Sequence, residues 1–163
     1  MGFLFNTACA ALVVAWLAAP PPVEGPVRTF HDSLLIIGGK CLDLSEAAAA
    51  RPPHLEIQDC RGGQSQRWTL RADGAIHSAL AFNKCLDLPT LHLAAPTRVE
   101  LRDCTGDVNQ EWSYEYDNTI HGPGDKCWEL PGGSLTNRTR IELGGCHGRW
   151  NQQFVAVPRL GGP

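Results

Sequence analysis

The chain has 163 residues, 14 of them basic and 17 acidic, for a formal net charge of −3. That length suits one domain and leaves no room for a catalytic domain beside a binding domain. No basic run marks a nucleic-acid-binding surface, and no long acidic run marks a disordered tail.

The first element is apolar. "ACAALVVAWLAA", residues 8–19, carries no charge and is too short to span a bilayer comfortably. It fits the hydrophobic stretch of a secretory signal peptide followed by small residues, although no Lys or Arg precedes it and Pro20 follows Ala19 directly. Residues 1–25 are therefore expected to be a signal peptide, cleaved between residues 18 and 26, and residues 26–163 the mature domain, with no membrane span in the mature chain. Cys9 would leave with the leader. Six cysteines remain, an even number in a chain expected to reach an oxidising compartment outside the cell.

After residue 50, helix signals are scarce, and short β-rich runs alternate with Gly- and Pro-containing turns. A segment then recurs three times. The copies read "GKCLDLSEAAAARPPHLEIQDCRGGQSQRW", "NKCLDLPTLHLAAPTRVELRDCTGDVNQEW" and "DKCWELPGGSLTNRTRIELGGCHGRWNQQF". Cys41 and Cys60, Cys85 and Cys104, and Cys127 and Cys146 are each separated by 19. Gln66, Gln110 and Gln152 follow the second cysteine by six residues, and Trp68, Trp112 and Phe154 by eight. The copies start 44 and 42 residues apart, a repeat period, with units near 34–75, 76–119 and 120–156. Each unit should hold about four strands: one at Cys-Leu-Asp-Leu, one at "HLEIQDC" or its counterparts, one at Gln-x-Trp and one at "GAIHS" or "NTIHG". Three units cannot form a long solenoid. They can close around a shared core with pseudo-three-fold symmetry, which also removes exposed sheet edges. The expected fold is all-β with about twelve strands.

The Cys-Leu-Asp-Leu motif, the cysteine spacing and the triple Gln-x-Trp/Phe resemble the ricin B-type (R-type) lectin domain, a β-trefoil, over about residues 30–156. The resemblance implies disulfides Cys41–Cys60, Cys85–Cys104 and Cys127–Cys146, each closing a loop of about 20 residues and contributing on the order of 3 kcal/mol. Zinc is disfavoured because the chain has no Cys-x-x-Cys cluster. Trp68, Trp112 and Phe154, at symmetric positions, are expected to fill the core.

The resemblance also implies function: a secreted protein that binds glycans or glycoproteins, with terminal galactose or N-acetylgalactosamine favoured. A shallow sugar site needs a carboxylate, amide groups and usually an aromatic platform. Carried over, the carboxylate is Asp43 in repeat one and Asp87 in repeat two, while Glu129 replaces it in repeat three. The amides are Gln66, with Ser65 before it, then Asn109 with Gln110, then Asn151 with Gln152. The chain departs from the family pattern on the middle strand. Glu56, Glu100 and Glu142 stand where an amide is expected, and Gln58, Arg102 and Gly144 where an aromatic is expected. Glu100 near Asp87 would favour a cationic group or pair with Arg102. Trp150 and His92 are candidate substitute platforms. Repeat two is expected to hold the best site. The alternative is a β-trefoil that has lost sugar binding and acts through protein contacts. His77 and His121 match each other in position and so suggest a shared structural role. No catalytic triad, phosphate-binding loop or free-thiol pair stands out, so no enzyme activity and no cofactor are expected. Asn137-Arg138-Thr139 is a possible N-glycosylation sequon.

Overall fold

The computed structural model describes residues 26–45, 52–89 and 97–159. The expected signal peptide, with Cys9, and the candidate His92 lie outside them. Thirteen strands run through the described residues: β1 (Phe30–Ile37), β2 (Lys40–Leu44), β3 (Leu55–Gln58), β4 (Arg67–Leu70), β5 (Ile76–Ser78), β6 (Ala81–Asp87), β7 (Thr97–Arg98), β8 (Glu100–Asp103), β9 (Ser113–Tyr114), β10 (Ile120–Gly122), β11 (Lys126–Glu129), β12 (Glu142–Gly145) and β13 (Val155–Pro158). This is four strands per repeat, with the third strand of repeat two broken into β7 and β8 at Val99. The fold is a β-trefoil.

Each repeat supplies one long-range hairpin, β2–β3, β6–β8 and β11–β12, all antiparallel. β1, β4, β5, β9, β10 and β13 form the barrel, while β7 extends the third strand of repeat two and pairs with β12. β1 pairs with both β4 and β13, which closes the last repeat onto the first. Single backbone bonds continue the closure elsewhere: Trp112 N–H to the Gly74 carbonyl at 3.0 Å and Phe154 N–H to the Asn118 carbonyl at 2.7 Å. β1 is the longest strand, and the apolar run from Leu34 to Ile37 in it was a signal the repeat alignment passed over. Its Leu35 and Ile37 are buried.

The core gathers apolar residues from all three repeats, among them Leu42, Leu86, Trp68, Trp112, Trp128 and Phe154. The glutamines that precede the core aromatics sit on short 3-10 turns, Gln64–Gln66, Val108–Gln110 and Trp150–Gln152, rather than on the strands that follow. The indole N–H of Trp68 donates to the Leu42 carbonyl at 3.2 Å, and that of Trp112 to the Leu86 carbonyl at 2.9 Å. In repeat three, Phe154 has no such donor, and Trp128 stands where the others have leucine. Its ring meets Trp112 and Phe154 edge-on, with centroids 5.2 and 5.8 Å away. Leu plus Trp is thus exchanged for Trp plus Phe, keeping bulky apolar volume in both arrangements.

At the pseudo-three-fold axis the third strands of the repeats meet. Leu55 N–H donates to the Val99 carbonyl, Leu101 N–H to Pro53, Ile57 N–H to Thr139 and Ile141 N–H to Leu55. These contacts put His54 opposite Glu100, Arg98 opposite Glu142 and Arg140 opposite Glu56. No helix among the described residues is long and apolar enough to cross a membrane.

Candidate carbohydrate site

Disulfides join Cys41 to Cys60, Cys85 to Cys104 and Cys127 to Cys146, each with Cα atoms 5.0 Å apart. Each bridge ties the second strand of its repeat to the loop leaving the third. The residue two places after the second cysteine is Gly62, Gly106 or Gly148, with φ of +70°, +75° and +64°. That left-handed backbone is costly for a residue with a Cβ. It turns two successive backbone N–H groups toward the repeat's glutamine.

The glutamine makes a clasp in all three repeats. Gln110 Oε1 accepts from the backbone N–H of Thr105 at 2.8 Å and Gly106 at 3.4 Å. Its Nε2 donates to the Asp103 carbonyl at 2.8 Å and to Asp87 Oδ2 at 2.6 Å. Gln66 bonds in the same way to Arg61, Gly62, Asp59 and Asp43, and Gln152 to His147, Gly148, Gly145 and Glu129. A primary amide offers two donors and two lone pairs, and all are used. These three side chains hold a carboxylate in place and have no group left for a ligand. The Cys-x-Gly that completes the clasp was legible in the sequence and was overlooked.

In repeat two, Asp87 is buried and lies directly across the ladder from Glu100, with Cys85 across from Arg102. Cross-strand partners on one face have Cβ atoms about 4.5–5.5 Å apart. Asp87 Oδ2 accepts from Asn109 Nδ2 at 2.9 Å as well as from Gln110. Asn109 also donates to the Leu88 carbonyl at 3.2 Å, which fixes the turn. Asp87 Oδ1 is buried with no hydrogen-bond partner among the described residues. Glu100 is engaged by Arg102, whose Nη2 and Nε lie 2.9 and 3.1 Å from Glu100 Oε2. A cavity of 470 Å3 opens here, lined among others by Asp87, Asn109, Arg102, Lys84 and Asp107.

The other repeats differ at the same ladder positions. In repeat one, Asp43 faces Glu56, and both are buried. Gln66 holds Asp43 Oδ2 at 2.8 Å, and Asp43 Oδ1 has no partner among the described residues. Glu56 accepts from Gln58 Nε2 at 3.0 Å and lies 3.6 Å from His54 Nε2. Burial lowers the His54 pKa below its usual value, with Arg140 adding to the effect and Glu56 opposing it. In repeat three, Glu129 receives Gln152 at 3.0 Å and Asn151 at 3.2 Å, and His147 Nε2 lies 3.5 Å away. Its longer side chain leans over Gly144, where a methyl group would overlap Glu129 Oε2. Trp150 is half-exposed, and its ring lies against Gly133.

His77 and His121 pair with Cys85 and Cys127 across their strands. Their rings approach the bridges, with Nδ1 3.8 Å from Cys104 Sγ and from Cys146 Sγ respectively. Each set of one His and two Cys is close enough to hold a metal ion. The sulfurs are spent in disulfides, and a disulfide offers no thiolate to ligate one. Asn137 sits on an exposed turn, with Nδ2 donating to Asp59 Oδ2 and Oδ1 accepting from Lys40 Nζ, both at 2.9 Å.

Residues 36–155 match the family profile of the ricin-type beta-trefoil lectin domain. No curated protein matches the chain in sequence. Among solved structures, the designed three-fold symmetric protein ThreeFoil aligns with a TM-score of 0.70 at 21% identity, over 78% of this chain and 98% of that one. The C-half of the earthworm R-type lectin, solved in complex with GalNAc, gives 0.62 at 20% identity, over 77% of this chain and 97% of that one. A non-toxic homologue of type II RIPs from bitter gourd, Momordica charantia, solved with α-methyl-D-galactoside, gives 0.64 at 20% identity. That alignment covers 78% of this chain and 48% of the bitter gourd chain. At these identities the likeness is one of fold.

Proposed function

The chain belongs to the ricin-type β-trefoil lectin family, a carbohydrate-binding rather than catalytic family, and from that footing we propose that it binds sugar through repeat two. The observation that carries this reading is Asp87. It is buried and fixed through one oxygen by two neutral amides, its other oxygen is buried with no partner among the described residues, and the residue lines an open cavity. A buried acceptor without a donor is costly, and a sugar hydroxyl supplies a donor. Asp87 is the acceptor, Asn109 and Gln110 position it, and Arg102, held by Glu100, lines the cavity beside it.

Terminal galactose or N-acetylgalactosamine is the proposed ligand class, in keeping with the sugars in the bitter gourd and earthworm complexes. Three disulfides suit a secreted protein, and the exposed sequon turn makes Asn137 a candidate glycan acceptor in a eukaryotic secretory pathway. The missing aromatic at the Gln58, Arg102 and Gly144 positions favours a second reading, a trefoil that works through protein contacts. A glycan array on the disulfide-intact protein separates the two. Signal on a related set of galactose-terminated glycans, lost in Asp87→Asn, supports the first. A blank array from well-folded protein overturns it in favour of the second.

A further inference from the structure

We infer that the repeat-two site is built for a glycoside with a compact apolar aglycone, rather than for a sugar alone; this rests on the repeat-two reading above. The cavity at Asp87 does not end at its polar residues. Pro52, Lys84 and Leu101 line it on one side, and the same three residues line a second cavity of 660 Å3 at the junction of repeats one and two. The two cavities are therefore neighbours on either side of these residues, with different linings. The Asp87 cavity is lined by carboxylates, an amide and two cations. The far cavity is lined by Leu44, Pro53, Leu80 and Ala81, with Ser45, Gln64 and Ser65 as its polar edge.

The sequence explains why the apolar cavity is open at this junction. Asn109 and Asn151 each reach back to the carbonyl of Leu88 or Leu130 and fill the angle between turn and strand. Ser65 occupies that position in repeat one, and its short side chain leaves the flank of Leu44 to the cavity. Leu80, on the turn between β5 and β6, stands 55% exposed at the rim. A large apolar side chain held in solvent beside an apolar cavity gains from any apolar group that covers both. Ligand sites combine a mainly apolar lining with a few placed polar groups; here the far cavity supplies the apolar lining and the Asp87 cavity the placed carboxylate and amide. A glycoside held at Asp87 with its aglycone lying across Leu101 and Pro52 would place that aglycone in the apolar cavity. The aryl group there supplies the apolar contact that an aromatic at the Arg102 position would otherwise give.

The test is calorimetric titration of the full disulfide-intact protein with methyl β-D-galactoside and phenyl β-D-galactoside. If the array selects another sugar, the methyl and phenyl glycosides of that sugar replace them. The phenyl glycoside is expected to bind about tenfold more tightly. In Leu80→Asp, that advantage should fall below about twofold, while affinity for the methyl glycoside is unchanged. Equal affinities in the wild type, or an advantage that survives Leu80→Asp, overturn the inference and leave the sugar site standing. Failure of every glycoside to bind overturns both. A second variant, Leu80→Ser, guards against a folding defect, since it removes the apolar contact without adding a charge.

Discussion

Repeats two and three share one backbone ladder and one glutamine clasp, yet one presents a cavity and the other is filled. In repeat two the carboxylate is the short Asp87, opposite Glu100, and Arg102 draws Glu100 aside. In repeat three it is Glu129, and its additional methylene carries the carboxylate over Gly144, where no side chain competes for the space. The core beneath shows the same exchange. Leu86 and Trp112 in repeat two correspond to Trp128 and Phe154 in repeat three, all buried. Changes come in pairs because the frame between them is fixed. The disulfide, the Cys-x-Gly turn and the clasp hold the strands, so an enlarged side chain at one position must be met by a reduced one at its neighbour.

The strongest way to break this comparison is in the core. Trp112→Ala and Trp68→Ala should each cost about 3–5 kcal/mol, measured by denaturant unfolding. Trp128→Leu and Phe154→Trp should each destabilise singly, by about 1–4 kcal/mol. Together they rebuild the repeat-two arrangement, so the double variant should lose clearly less than the sum. Strict additivity would show that the two positions do not share one volume. The paired variant also removes the Trp128 indole N–H, which is buried without a hydrogen-bond partner among the described residues.

Three occurrences of one spacing made the fold readable in the sequence. The cysteine pairs at separation 19 are the disulfides, and the Cys-Leu-Asp-Leu and Glu-containing segments are the hairpin strands. The bridge by itself does not give the register: Cys85 bonds Cys104 but lies across the ladder from Arg102, so counting from the disulfide would set Asp87 against Arg102 rather than Glu100. What spacing does not encode is where a side chain ends. Gln66, Gln110 and Gln152 look like sugar-binding amides on the strand. They are clasps on 3-10 turns, because the positive-φ glycine nearby presents backbone N–H groups that consume them. The role of Trp128 was likewise hidden, since a tryptophan beside a cysteine carries no periodic signal. β1 was missed because it precedes the first cysteine of its repeat and so lies outside the recurring segment, although it pairs with the adjacent β2 as well as with β4 and β13.

Gly144 sharpens the same comparison at smaller cost. Gly144→Ala places a methyl group on Glu129 Oε2 and should destabilise by about 1–3 kcal/mol. Combining it with Glu129→Asp shortens the carboxylate and should restore most of the loss. No recovery in the double variant would show that Glu129 is not what occupies the space above Gly144.

At the ligand level the repeats should rank by their carboxylates. Asp87→Asn keeps an oxygen for the Asn109 and Gln110 amides and turns the unpartnered acceptor into a donor, so folding is only modestly affected. A hydrogen bond to a charged group contributes about 1.5–3 kcal/mol, so affinity for the glycan chosen by the array should fall roughly tenfold or more. Asp43→Asn should do less, because the buried Glu56 stands beside Asp43 and Ser65 replaces the second amide. Glu129→Gln should leave affinity unchanged. A larger loss in Asp43→Asn than in Asp87→Asn would move the working site to repeat one.

The smallest effect expected is a pH dependence that separates repeat one from the other two at the axis. Three cross-repeat positions there carry a base opposite an acid: His54 with Glu100, Arg98 with Glu142 and Arg140 with Glu56. Only the histidine changes charge near neutrality. Its pKa in the folded protein is lowered, first by burial and then by Arg140, with Arg98 adding, against the opposing pull of Glu56 and Glu100. The unfolded chain therefore takes up the proton before the folded one does. The stability tied to neutral His54 is fully present above the ordinary histidine pKa of about 6.5, and is lost as pH falls through the lower folded value. Thermal unfolding of the wild type should thus shift to lower temperature between pH 7.5 and pH 5, and His54→Gln, which cannot be protonated, should flatten part of that shift. Arg replaces His54 in the other repeats, so His54→Arg should flatten it too, while placing a permanent charge where burial penalises one and lowering stability at pH 7.5. A pH profile identical in wild type and His54→Gln would show that the axis does not distinguish repeat one from its neighbours.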